Sequence, residues 1–274
     1  MRIDSHQHFW RYSPEQYPWI QPDWSIRRDF LPADLAPELK RCQIDGCVAV
    51  QARQTFEETR WLLELAEASP MVLGVVGWVD LRSPKVEEQL TEVAGHPKLV
   101  GVRHVVQDEP DVRFMLRDDF MRGISRLRSF GLTYDILIFP QQLGAAIELV
   151  AAFPDQPFVL DHIAKPRIRE GIISPWREHV CELASASNVM CKVSGMVTEA
   201  DWQKWKPDDF RPYLDVVFQA FGPDRLMFGS DWPVALLAAD YNRAFNLVGD
   251  YLGPRGKETS ARVLGLNAAD FYKL

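Results

Sequence analysis

Cysteine is scarce in this chain, which has only four among its 274 residues, and no two of them form a CxxC pair. Cys47 and Cys191 lie inside apolar, strand-like runs. Secreted domains that depend on disulfides are much denser in cysteine. The sequence therefore predicts reduced thiols in a cytoplasmic protein and argues against a disulfide framework.

Other absences narrow the class of protein. No apolar run approaches the length of a membrane-spanning helix, so we expect no membrane partner. The charged, histidine-bearing N-terminal residues lack the apolar segment of a signal peptide, which again predicts the cytoplasm. Positive charge is not in excess either. A formal net charge of -7 and a pI near 5.4 argue against a nucleic-acid partner and leave small-molecule chemistry open.

Short runs rich in Val, Ile and Leu recur along the whole chain. They cover residues 2–9, 46–51, 72–81, 100–106, 132–139, 157–164, 189–195 and 225–233. Most are continuously apolar, which is typical of strands that are buried on both faces of a parallel sheet. Eight strands alternating with helices predict a single (β/α)8 barrel domain over residues 1–274, with an open doubly wound sheet as the alternative.

The segments between these runs favour the barrel. Thr55 and Glu58 have the spacing of a capping box at a helix start, and Gly131 follows a helix-like segment, as glycine often does. Residues 10–32 form a long first βα loop with three tryptophans, two tyrosines and four prolines. Such a loop lies over the active-site face of a barrel. It either covers a ligand or is a surface loop held by its own aromatic side chains.

Polar side chains fall near the carboxyl ends of the predicted strands. They are His6, His8, Arg103, His104, Asp161, His162, Lys165, Lys192, Ser194 and Asp231. A parallel barrel gathers these strand ends on one face, and buried charges are costly without partners. We therefore expect a common site there. Each residue also has a structural interpretation. His104 could be a core histidine with its hydrogen bonds satisfied, and Arg103 and Lys192 could be structural charges inside the barrel.

His6 and His8 are the strongest single signal. Residues i and i+2 of a strand point to the same side, so the two imidazoles face one way. Asp231 follows the apolar residues Leu226–Phe228 closely, where an unpaired carboxylate would be expensive. These three residues and His162 are the expected centre of the site.

The chain resembles the amidohydrolase superfamily, in the amidohydrolase 2 branch that includes sugar-lactone hydrolases. The motifs that carry the resemblance are HQHFW at 6–10, YPW at 17–19, GWVDL at 77–81, GVRH at 101–104, LDHIAKP at 160–166, CKVSG at 191–195 and FGSDWP at 228–233. The resemblance implies a distorted barrel that hydrolyses an aldonolactone such as that of L-fucose, L-rhamnose or L-galactose. A metal-dependent decarboxylase or amidase of the same superfamily is the alternative.

The metal ligands of the superfamily are only partly present. Metal-dependent members add a lysine on strand 4 or a histidine on strand 5 to the HxH pair and the strand-8 Asp. Here strand 4 has Arg103 and His104, and the strand-5 run LTYDILIF has no histidine. His6, His8, His162 and Asp231 still offer a tetrahedral zinc site. We therefore expect one divalent metal, zinc, to bind without being required for turnover.

The resemblance also suggests roles. Asp231 would be the general base for water attack on the lactone carbonyl, with His6, His8 and His162 around it. Arg103 or His104 would stabilise the oxyanion. The candidate substrate-binding residues are Gln51, Arg53, Trp24, Arg28, Met196 and Trp232. A non-catalytic sugar-acid-binding barrel would lack Asp231 or the histidine pair. The expected partner is a small-molecule sugar lactone, and the sequence leaves open whether the chain forms a homo-oligomer.

Overall fold

Eight parallel strands form one sheet in chain order in the computed structural model, which describes residues 1–274. The strands are β1 (Ile3–Gln7), β2 (Gly46–Val50), β3 (Val72–Gly77), β4 (Leu99–Val105), β5 (Thr133–Leu137), β6 (Phe158–Leu160), β7 (Val189–Val193) and β8 (Leu226–Phe228). Each pairs in parallel with the next. Every predicted run coincides with one strand; β4 begins one residue before its run, and the other seven strands are shorter than their runs.

The sheet closes between its first and last strands, just beyond the carboxyl end of β8. Gln7 forms a parallel bridge with Trp232. The amide of His8 donates to the carbonyl of Trp232 at 2.7 Å, and the amide of Asp231 donates to the carbonyl of His6 at 2.8 Å. The predicted barrel is therefore confirmed over the open sheet. The closing hydrogen bonds also bring the HxH segment next to Asp231.

Ten helices accompany the strands. They are α1 (Pro32–Cys42), α2 (Phe56–Ala68), α3 (Val86–Val93), α4 (Asp118–Leu127), α5 (Leu143–Ala152), α6 (Trp176–Ala184), α7 (Pro207–Phe221), α8 (Tyr241–Leu252), α9 (Lys257–Ala261) and α10 (Asn267–Tyr272). None of them is long and apolar enough to cross a membrane. All four cysteines are free, as the sequence predicts.

The start of α2 keeps only half of the predicted capping box. The amide of Glu58 donates to Oγ1 of Thr55 at 3.2 Å. The carboxylate of Glu58 does not return to the cap. It accepts instead from the amides of Ala52 at 3.0 Å and Arg53 at 2.6 Å. This carboxylate thereby fixes the loop after β2, which carries Arg53 toward the open end of the barrel.

The long first loop combines both readings of its sequence. Trp10 pairs with Phe30 through an antiparallel bridge, and its ring packs against Tyr17, Trp19 and Phe30. The loop is therefore held in place by its own aromatic side chains. Trp19 and Trp24 also line the cavity at the carboxyl ends of the strands. The same loop thus serves as a brace and as part of the ligand-facing wall.

A buried charge network lies inside the barrel beneath His6, and we call it the floor. It consists of Lys192, Asp135, Asp161 and Tyr272. The ammonium of Lys192 donates to Asp135 and lies 3.1 Å from Oδ1 of Asp161. The Tyr272 hydroxyl, from α10, donates to Asp135 Oδ2 at 3.0 Å. Lys192 is therefore surrounded as a structural charge inside the barrel would be, which is one of the two interpretations that the sequence allowed.

Candidate active site

A cavity of about 740 Å³ opens at the carboxyl ends of the strands. Of the polar side chains predicted at the strand ends, His8, Arg103, His162, Lys165 and Asp231 line it. Residues of the first loop and of the loops after β2, β4, β6, β7 and β8 complete the wall. A concave site with convergent polar groups is the usual form of a small-molecule site.

Asp231 is the centre of the polar cluster. Its Oδ1 lies 3.3 Å from Nε2 of His8, 3.8 Å from Nε2 of His162 and 3.9 Å from Nε2 of His6. Burial would raise the pKa of the Asp231 carboxyl, but His162, His8 and Lys165 together hold this pKa below its ordinary value. Asp231 is therefore an ionised carboxylate at neutral pH, as a general base must be.

The histidines are oriented by groups outside the cluster. Nδ1 of His8 lies 2.8 Å from the carbonyl of Val50, which can only accept, so Nδ1 carries the proton. Nε2 of His8 is left to face Asp231. Nδ1 of His162 lies 2.9 Å from Oγ of Ser194. Burial lowers the pKa of His162 well below its usual range, which favours a neutral imidazole.

His6 is held from both sides of its ring. Its Nε2 lies 3.1 Å from Nη1 of Arg103, and a guanidinium can only donate, so Nε2 is the acceptor. Nδ1 faces Oδ1 of Asp161 and Nζ of Lys192, each at 3.3 Å. Burial lowers the pKa of His6 well below its usual range. His6 is therefore a neutral imidazole that joins Asp231 to the floor.

The guanidinium of Arg103 is fully hydrogen-bonded within the protein. Its Nη1 also donates to Asp161 at 3.0 Å, while Nε donates to the Gln51 side chain at 3.1 Å and Nη2 donates to the side chain and carbonyl of the same residue. All three guanidinium nitrogens thus have protein partners. Arg103 supplies positive charge near the site, but its hydrogen-bonding capacity is already used.

The segment after β6 has an unusual backbone. His162, Ile163, Ala164 and Lys165 have φ values of 53°, 49°, 59° and 48°. None of them is glycine, and each such residue costs about 1–3 kcal/mol, a strain that tends to occur at functional sites. Gly195 is required beside this segment, because a Cβ there would lie 2.4 Å from Nδ1 of His162. This backbone path places His162 and Lys165 at the cavity.

The central cluster is suited to a divalent metal. Ligand atoms of His6, His8 and Asp231 lie within 4.8 Å of one another and are buried. In a tetrahedral zinc site with bonds of about 2.0–2.1 Å, ligand atoms are about 3.3 Å apart. The hydrogen bond of His8 to a backbone carbonyl is also typical of a zinc ligand. Against this, Arg103 occupies the lone pair on Nε2 of His6 that a metal would use.

The structure does not bring His104 into the cluster. Side chains alternate along β4, so the inward direction of Arg103 sends His104 to the opposite face. There Nε2 of His104 lies 2.7 Å from Glu109, and its ring stacks on Phe114 at 5.0 Å. His104 therefore has a satisfied core environment and does not line the cavity.

The predicted substrate-binding residues are only partly at the cavity. Trp24 and Arg53 line it, whereas Gln51 is fully buried as the partner of Arg103. The other three lie elsewhere. Arg28 pairs with the exposed Asp34 at the surface. Met196 and Trp232 are buried and do not line the cavity.

Sequence reasoning missed several lining residues. Thr198, Glu199 and Trp202 line the cavity from the loop after β7, and Trp19 does so from the first loop. For Thr198, Glu199 and Trp202, the available signal was their place shortly after the strand-7 motif CKVSG. In this loop, no polar residue beyond Ser194 was predicted, because the strand-like run ends at Gly195.

Comparison with known proteins points to one family. An amidohydrolase family model matches residues 3–274. An L-fucono-1,5-lactonase from Burkholderia multivorans is 45% identical over 259 residues, covering 90% of this chain and 87% of its own length. A second L-fucono-1,5-lactonase, from Burkholderia ambifaria, is 37% identical and covers 100% of this chain and 96% of its own. The crystal structure of a Burkholderia multivorans amidohydrolase with bound zinc has a TM-score of 0.96 at 43% identity, covering 100% of this chain and 99% of that one.

Proposed function

This chain belongs to the amidohydrolase family, and we propose that it hydrolyses a sugar lactone to the open sugar acid. It is then a hydrolase acting on a carboxylic ester, with L-fucono-, L-rhamnono- and L-galactonolactone as the first candidate substrates. The observation that carries the proposal is the buried, ionised Asp231 carboxylate with three histidine Nε2 atoms around one of its oxygens, open to the cavity.

Asp231 supplies the base. A water beside its carboxylate attacks the lactone carbonyl carbon as Asp231 takes one of the water protons. The water oxygen forms the new C–O bond, and the ring C–O bond then breaks. The protonated Asp231 returns its proton to the departing ring oxygen, which becomes a hydroxyl group. His162 orients the water, because its Nε2 faces Asp231 at the cavity, whereas both ring nitrogens of His6 face Arg103 and Asp161.

Arg103 contributes through its charge. Its position next to His6 places a fixed cation near the negative charge that develops on the carbonyl oxygen. Its hydrogen bonds to His6, Asp161 and Gln51 hold the imidazole of His6 in one orientation. Arg103 is thus assigned an electrostatic and positioning role. His104 has no part in the reaction.

A metal is an accessory in this proposal. His6, His8 and Asp231 would hold it, with His162 as a fourth candidate ligand 3.8 Å from Asp231, and a zinc ion there would supply Lewis acidity toward a carbonyl oxygen. Turnover does not require it, because Asp231 already provides the base and an ester with an alkoxide leaving group needs less activation than an amide. The Arg103 hydrogen bond to His6 also competes with metal binding.

Acid release from a panel of aldonolactones tests the function, using chelator-treated protein with and without added zinc. We expect hydrolysis of at least one deoxyhexono- or pentonolactone in both samples. A protein that releases acid from no lactone, yet decarboxylates an aromatic acid or cleaves an amide when zinc is added, would contradict the proposal and restore the alternative enzyme classes.

A further inference from the structure

Two half-buried charged side chains of the cavity have no hydrogen-bond or ion-pair partner in the protein, the one contact of the Lys165 ammonium being with the Phe139 ring at 5.6 Å. Lys165, after β6, and Glu199, after β7, both line the cavity beside Asp231. Arg53, in contrast, lies 3.6 Å from Glu58, and Arg103 is fully hydrogen-bonded. Lys165 and Glu199 take part in no side-chain hydrogen bond and lie within 4.0 Å of no opposite charge. Partly buried charges without partners are costly unless a ligand completes them.

We propose that Lys165 and Glu199 are the substrate-specificity pair, binding the hydroxyl groups of a neutral, polyhydroxylated lactone while Asp231 acts on its carbonyl. This inference rests on the proposed lactone hydrolysis and adds which part of the substrate is recognised. An ammonium donates to a hydroxyl oxygen, and a carboxylate accepts from a hydroxyl hydrogen. Adjacent ring hydroxyls offer both functions, which a bare lactone ring lacks.

The charge balance of the cavity favours a neutral ligand. Four carboxylates line it, from Glu15, Asp108, Glu199 and Asp231, against three cations, from Arg53, Lys165 and Arg103. Arg103 is fully hydrogen-bonded and the guanidinium of Arg53 is ion-paired with Glu58 at 3.6 Å, although without a hydrogen bond, so a carboxylate-bearing lactone would find Lys165 as the one cation without an ion-pair partner and would face Glu199. Burial also raises the pKa of Glu199, a cost that hydroxyl donors would offset.

The test compares two six-membered lactones that share the scissile ester. One is an aldono-1,5-lactone that the wild-type enzyme hydrolyses, and the other is δ-valerolactone, which has no hydroxyl groups. We expect Glu199→Gln and Lys165→Met each to lower kcat/KM for the aldonolactone by about ten- to hundredfold, the value of a charged hydrogen bond. The same variants should change kcat/KM for δ-valerolactone by less than about threefold.

Matched controls come from nearby surface residues. Glu170 and Lys204 are exposed and do not line the cavity, so Glu170→Gln and Lys204→Met should leave both rates unchanged. Calorimetry in an Asp231→Asn background gives a second measurement that needs no turnover. Adding Glu199→Gln or Lys165→Met there should weaken aldonolactone binding, also by about tenfold or more.

The outcomes separate this inference from the proposed function. Equal losses on both lactones would overturn it, since the pair would then act on the ester itself. Full aldonolactone activity and binding in both variants would overturn it as well. In either case lactone hydrolysis by the wild type still stands. A wild-type enzyme that cleaves no lactone would overturn the proposed function and this inference with it.

Discussion

The floor and the cavity wall contain similar charged residues in opposite situations. In the floor, Lys192 lies between Asp135 and Asp161, and no solvent reaches its side chain. The cavity wall, by which we mean Asp231, Lys165 and Glu199, has no hydrogen-bonded ion pair of this kind. Lys192 and Lys165 are thus the same residue type, one fully paired in the interior and the other unpaired at an open face.

This difference separates structural charges from functional ones. A buried cation that has lost its partners is strongly destabilising, so the floor must be complete in the free protein. A half-buried charge at a cavity can remain unpaired in the free protein and be paired by a bound ligand, because partial burial costs less free energy than full burial. Position at a strand end could not distinguish these cases, because Lys192 and Lys165 were both predicted near one.

Removing the Asp231 carboxylate from the cavity wall should have the largest effect on activity. We expect Asp231→Asn to lower kcat for the lactone by about 10²- to 10⁴-fold, the usual contribution of a general base. The amide has a similar shape and cannot take the proton, so the melting temperature should change little. Steady-state kinetics and a thermal melt check both parts. Near-normal turnover in this variant would contradict the assignment of Asp231 as base.

Breaking the floor should instead cost stability. Lys192→Met leaves Asp135 and Asp161 without their shared cation, and we expect a loss of about 3–5 kcal/mol in the free energy of unfolding. Urea denaturation measures it. Lys165→Met is the matched control from the cavity wall and should cost under about 1 kcal/mol, since that ammonium has no ion-pair or hydrogen-bond partner to lose. Equal destabilisation by the two variants would remove the distinction between the regions.

His104 tests the same distinction with a different side chain. We expect His104→Gln to lower stability by about 1–3 kcal/mol, because the contact with Glu109 is weakened in a partly buried place. It should leave kcat/KM within about twofold, since the ring does not reach the cavity. His8→Gln serves as the comparison within the site and should lose at least about tenfold in kcat. A tenfold loss of kcat/KM in His104→Gln would return His104 to the catalytic residues.

The sequence was sufficient for the barrel and for the centre of the site. Continuous apolar runs located all eight strands, and the HxH pair, His162 and Asp231 met as expected because the strand ends share one face. Inward or outward direction on β4 was not readable, since Arg103 and His104 are neighbours with equally polar side chains. The left-handed path of residues 162–165 contains no glycine or asparagine to announce it. Consequently the direction of Lys165 toward the cavity had no local signal.

Removing the metal should have the smallest effect and links the two regions through His6. Arg103 and Asp161 hold the two ring nitrogens of His6, so a metal must displace Arg103 before His6 can join His8 and Asp231 as a ligand. We expect chelator treatment to remove bound metal, measured by elemental analysis, while kcat/KM changes by less than about twofold. Activity that disappears with the chelator and returns with zinc would mean that the hydrogen bond from Arg103 to His6 breaks when the metal binds. The histidines would then be obligatory ligands, and the main partner of His6 would be the metal instead of Arg103.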